Sequence, residues 1–197
     1  MKKNVVLTIC SVWFIATAHA DPKLSEPSNF GLGLGWQASS LGSGIGFDIH
    51  SPEFLSCAKD DQVVRLSAVF DYNRQSIPNF AKDANSEFTE SVINNLALGL
   101  RVTRYSGDGP FQTYAQAMVF YGMLDDKLSG TNTVGALFSF GADIMFAKNF
   151  EGMLGKESSS IFLQADVFLN TKRAELIAGN PRVFPTVAPR IGARMSF

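Results

Sequence analysis

The chain has 197 residues, with 17 Lys and Arg against 18 Asp and Glu, two cysteines, and 17 each of glycine and phenylalanine. A charge balance this close to neutral excludes the basic footprint of a nucleic-acid binder, and two cysteines exclude a disulfide-stapled scaffold. Apolar residues fall in short alternating segments, and after the first 20 residues no stretch reaches the roughly 18 consecutive apolar residues of a spanning helix.

Residues 1–20 open with Lys2 and Lys3, continue apolar from Val5 to Ala16, and end Ala18-His19-Ala20 before Asp21 and Pro22. That is the grammar of a cleaved secretory signal, with cleavage expected after Ala20, and it is too short and wrongly flanked to span a membrane. Cys10 follows Leu7-Thr8-Ile9 inside the apolar run, where a lipidation signal wants a small residue, so it reads as part of the signal core. Cleavage removes two lysines and no acids, which leaves 15 cations against 18 acids and a net charge of −3. Cys57 is then a single thiol, read as a small buried hydrophobe in a turn. Residues 21–29, with two prolines, form a lead-in, and 30–197 make one domain.

Eight segments then alternate with a period of two, the signature of strands with one apolar and one polar face. In 30–38, Phe30, Leu32, Leu34, Trp36 and Ala38 share one face, and Gly31, Gly33, Gly35 and Gln37 the other. The glycines leave room for bulky groups from opposite strands; their spacing is wrong for a dinucleotide loop and no helix follows. In 44–50, Ile45, Phe47 and Ile49 oppose Gly46, Asp48 and His50, and in 62–73, Val64 to Tyr72 oppose Arg65, Ser67, Val69, Asp71 and Asn73. The fourth segment, 91–104, sets Leu96, Leu98, Leu100 and Val102 against Asn95, Ala97, Gly99, Arg101 and Thr103. After a tight Ser-Gly-Asp-Gly-Pro turn, 111–123 sets Thr113, Ala115, Ala117, Val119 and Tyr121 against Gln112, Tyr114, Gln116, Met118 and Phe120. Segments 134–146 and 161–170 carry Asp143 and Asp166 on their polar faces, and the last, 187–197, alternates Val187, Pro189, Ile191, Ala193, Met195 and Phe197 with Arg190 and Arg194.

No charged residue falls on the apolar face of any segment except Arg104, which ends its strand. The opposite faces collect Asp48, Asp71, Asp143 and Asp166 with Arg65, Arg101, Arg190, Arg194 and His50. A charge facing lipid at mid-membrane costs about 2–4 kcal/mol, whereas one facing a lumen can pair. The pattern predicts an all-β fold: an eight-stranded antiparallel transmembrane β-barrel, an up-and-down meander, preceded by a cleavable signal peptide. At this size side chains fill the interior. The Asp and Arg set is expected to form a structural hydrogen-bonded core network, with Arg190 and Asp166 its best single pair because their strands are neighbours.

The final strand, apolar at every second position and ending on Phe197, resembles the terminal strand of bacterial outer-membrane barrels. Over nearly the whole mature chain the strand pattern is similar to small eight-stranded barrels of the OmpA transmembrane-domain and OmpX type. The resemblance implies a place in the outer membrane, contact with its lipid, and reading by the barrel assembly machinery through Ile191, Ala193, Met195 and Phe197. It also puts both termini in the periplasm, so that the connections 39–43, 74–90, 124–133 and 171–184 face outward. Ile77, Pro78 and Phe80 make an apolar element in the longest of them, a candidate contact for a surface ligand or envelope protein. The periplasmic connections 51–61 and 147–160 are longer than the family's turns, and Pro189 sits in a strand that must pair on both sides.

Catalysis finds little support. His50 is the one mature histidine, expected at the periplasmic end in a structural contact with Asp48, and one His with one Cys lacks ligand spacing for a metal. No enzyme activity, cofactor or metal is therefore expected. The expected function is envelope structure or surface interaction through the outer loops, with a plugged, charged lumen; the alternatives are a narrow pore or conduit for small apolar ligands and, behind it, a lipid-modifying enzyme.

Overall fold

The computed structural model describes residues 30–39, 42–59, 62–80, 89–106, 110–124, 132–152, 155–170, 174–177, 180–182 and 187–197. The predicted signal peptide and lead-in lie outside them. The strands, in chain order, are β1 (Gly31–Ala38), β2 (Ser43–His50), β3 (Leu55–Lys59), β4 (Gln62–Phe80), β5 (Thr89–Ser106), β6 (Phe111–Leu124), β7 (Thr133–Gly152), β8 (Gly155–Asn170), β9 (Ala174–Ile177), β10 (Asn180–Arg182) and β11 (Val187–Ser196).

Each wall strand pairs antiparallel with its sequence neighbours, and β11 pairs with both β8 and β1. Since β2 pairs with β4 as well as β1, the sheet closes on itself with eight walls: β1, β2, β4, β5, β6, β7, β8 and β11. β3 is not a ninth wall. It continues β2 along the same partner, with His50 opposite Val69 and Leu55 opposite Leu66. The intervening break at 51–54 is held by the Ser51 and Phe54 N–H groups donating to the Ala68 and Leu66 carbonyls.

Followed around the wall, the register climbs from Ser196 through Gly31, His50, Val69, Gly99, Met118 and Leu137 to Phe168, one residue past the partner of Val187. The ladder thus returns to its own strand displaced by ten residues. For eight strands that stagger corresponds to a tilt of roughly 40°.

The alternation read from the sequence holds on all eight walls. Leu34, Leu98, Val119, Phe140 and Leu163 point out and are exposed, while Asp71, Ser139, Phe162, Asp166, Ala188 and Arg190 point in and are buried. Inside, Val69, Ala97, Met118, Phe120, Leu137, Phe168 and Ala188 form an apolar cluster, with Phe120 and Phe168 edge to face at 5.3 Å.

The connections differ from expectation more than the strands do. The stretch 51–61 contains β3, so the β3–β4 hairpin turns between Lys59 and Gln62. The stretch 147–160 is largely a continuation of β7 and β8, which stay paired to Gly152 and Gly155 through two register shifts. Both apparent long turns are strand extensions beyond the rim that carries Phe30 and Phe197, here the terminal rim. At the opposite, loop rim, β4 runs through Phe80, so Ile77, Pro78 and Phe80 belong to a strand rather than to a 74–90 loop; their side chains lie outside the described residues. Within 171–184, β9 and β10 form a small hairpin of their own.

Pro189 fits its strand for a definite reason. The Phe197 N–H donates to the Phe30 carbonyl, so the odd-numbered residues of β11 face β1. The next rung in that series would join Ala38 to Pro189, which has no N–H, and the β1–β11 ladder stops at Gln37 and Arg190. Towards β8, where Pro189 has no donor to supply, pairing continues to Val187.

Candidate functional site

The polar faces of the walls converge on an interior arranged in two charged layers. Nearer the terminal rim, Arg194 grips Asp48 with two bonds, Nε to Oδ1 at 3.2 Å and Nη2 to Oδ2 at 3.1 Å, and reaches Asp143 Oδ1 with Nη1 at 2.5 Å. Arg101 donates to the other oxygen of Asp143 at 2.7 Å and lies 4.0 Å from Asp48. Two arginines and two aspartates from four strands thus close a ring in which every charge meets its opposite. Both guanidinium groups lie against the Tyr114 ring, Arg101 3.9 Å and Arg194 4.9 Å from its centroid, and Arg194 also lies over Phe162 at 4.5 Å.

The second layer lies towards the loop rim. Arg190 forks onto Asp71, 2.6 Å from Oδ2 and 3.0 Å from Oδ1, and stands 3.1 Å from Asp166. Asp166 Oδ1 accepts from the Ser139 hydroxyl at 2.5 Å and from the Gln164 amide at 2.7 Å. Gln164 joins the layers, because its carbonyl oxygen accepts from the Tyr114 hydroxyl at 2.8 Å.

Glycines make these approaches possible. A Cβ on Gly33 would collide with the Asp48 carboxylate, one on Gly31 with the His50 ring, and one on Gly46 would sit 3.1 Å from the Arg190 guanidinium carbon. The run that imitates a dinucleotide loop is the space into which β2 and β11 project their charges.

Of the residues singled out in the sequence, Asp48, Asp71, Arg101, Asp143, Asp166, Arg190 and Arg194 meet in these two layers. Arg190 lies beside Asp166 and, with two bonds, on Asp71 across the lumen. Arg65 stands apart near the terminal rim, bonded to Glu53 at 2.7 Å and lying over the Tyr105 ring at 4.7 Å. Tyr105 donates to the other oxygen of Glu53 at 2.6 Å. His50 packs across Gly31, and no described hydrogen bond joins it to Asp48. In β11, Ile191, Ala193 and Met195 point outward, and Phe197 ends the chain against Phe30. Cys57 is a free, half-buried thiol in β3, not in a turn. Among the described residues no group of three or more His, Cys, Asp or Glu could hold a metal ion.

Sequence reading missed Glu53, since the break at 51–54 resets the alternation that identified the other inward residues. A carboxylate just after Pro52, opposite a strand carrying Arg65, was the available signal. Ser139, Gln164 and Tyr114 carried inward parity but no charge, so nothing in one strand marked them as partners.

Compared with family models and with curated proteins, the chain matches none.

Proposed function

We propose that this protein is a bacterial outer-membrane β-barrel with a plugged, charged lumen, acting in envelope structure or surface interaction through the loops at its loop rim. The observation that carries this reading is the inversion of its surface: large apolar side chains are exposed around the wall while arginine and aspartate are buried inside. A water-soluble barrel would place them the other way round.

The height of the apolar band supports the same reading. On β5 the outward residues Leu96, Leu98, Leu100 and Val102 are bracketed by Asn94 and Arg104, ten residues apart. Ten residues span about 33 Å along a strand and about 25 Å along the axis of a barrel tilted by roughly 40°, the height of an outer-membrane apolar belt. Exposed Phe30, Phe54, Phe111 and Phe146 ring the terminal rim, and Trp36 and Tyr121 lie towards the other, as aromatic girdles do. In this reading the signal peptide exports the chain, the barrel assembly machinery reads β11 and Phe197, and the loop rim faces outward to meet a surface ligand or another envelope component. The reading is non-enzymatic and involves neither cofactor nor nucleic acid.

Planar-bilayer recording of the refolded mature chain, residues 21–197, tests it. With folding established, a silent bilayer is expected, because fully buried Arg190, Phe120 and Phe162 occupy the lumen. Reproducible current steps would replace the plugged barrel with a narrow pore.

A further inference from the structure

Among the described residues, the charges of the two inner layers do not balance. Three guanidinium groups, from Arg101, Arg190 and Arg194, face four carboxyl groups, from Asp48, Asp71, Asp143 and Asp166. The layer nearer the terminal rim holds two of each, and Arg65 does not change the sum because Glu53 faces it. The excess falls on the other layer, where one guanidinium serves two carboxyls and all three side chains are 0% exposed. An unbalanced carboxylate in such a setting is strongly disfavoured, and two carboxyls at one site resolve the conflict by keeping a proton between them.

The hydrogen bonds distinguish the two carboxyls. Asp71 receives the full fork of Arg190, one bond to each oxygen, and the Asn73 amide at 3.4 Å. Asp166 receives only uncharged donors, Ser139 and Gln164, both on Oδ1. Its Oδ2 lies 3.1 Å from Arg190 yet accepts no aligned hydrogen bond, because the guanidinium is turned towards Asp71.

We propose that Asp166 carries a proton in the folded barrel, so that the layer is one ion pair, Arg190 with Asp71, beside one neutral carboxylic acid. Among the described residues, the other ionisable groups of the two layers do not compete for this role. Asp48 from β2, Arg101 from β5, Asp143 from β7 and Arg194 from β11 are matched among themselves. Tyr114 of β6 is an uncharged phenol bonded to Gln164, and His50 lies at the terminal rim beside Gly31. Ser139 and Gln164 hold the acid in place without adding charge. The inference is independent of the membrane reading, since it needs only the buried geometry.

Infrared spectroscopy of the refolded protein labelled with carbon-13 aspartate tests it, because a protonated carboxyl has a carbonyl stretch that a carboxylate lacks. At neutral pH one such band per chain is expected, lost in Asp166→Asn. Absence of the band from the parent protein, or its survival in Asp166→Asn, would overturn the proposal. Should Asp166→Asn not fold, Ser139→Ala gives a second reading: removing the hydroxyl bonded to Asp166 should shift the band, and an unmoved band would equally refute the assignment.

Discussion

Gly33 and Arg190 show how little freedom individual residues have inside this barrel. Asp48 is clamped by both arms of Arg194, so it cannot retreat from a methyl group placed on Gly33. Gly33→Ala should therefore destabilise the barrel by about 1–3 kcal/mol, the usual cost of overpacking, measured by urea unfolding in lipid vesicles. Replacing Arg190 by Met leaves Asp71 without its partner in a fully buried site, and a loss of about 3–5 kcal/mol is expected by the same measurement. Arg65 is 19% exposed beside Glu53, so Arg65→Met should cost only about 1 kcal/mol. A loss at Arg65 as large as at Arg190 would mean that depth in the lumen does not set the strength of these pairs.

Among the elements, β11 joins the two ends of the sheet and is built to tolerate its own proline. Pro189 falls where β1 is already ending, so Pro189→Ala should change stability by no more than about 1 kcal/mol, the worth of one added rung. Phe197 separates folding from assembly. Its bond to Phe30 is made by the backbone, which Phe197→Ala keeps, so refolding into vesicles should be unchanged. If β11 is the segment read by the assembly machinery, the same variant should accumulate less in the outer-membrane fraction of cells; equal accumulation would remove Phe197 from that role.

Taken whole, the described walls form a closed sheet, and if the barrel is the outer-membrane protein proposed above, that closure should make it resist detergent. The unboiled protein should therefore migrate differently from the boiled one on a denaturing gel. An unchanged band would argue against a closed barrel stable in detergent.

The sequence by itself determined the number of walls, the direction in which the side chains of the eight predicted segments point, and the segregation of charge to one face. It could do so because a strand repeats every two residues and the central part of each wall carries no bulge, so parity propagates from one residue to the next. Parity fails where a strand is interrupted. Glu53 was hidden by the break after Ser51, and the β7–β8 extension read as a loop because its register shifts at Ala147 and Phe150 spoil the alternation. Only the tertiary structure decided who meets whom across the lumen. Arg190 does stand 3.1 Å from Asp166 of the adjacent strand, as expected, but its fork goes to Asp71, 119 residues earlier in the chain. The ten-residue stagger of the closed sheet sets the relative heights of those two side chains, and that stagger is a property of all eight walls together, legible in no single strand.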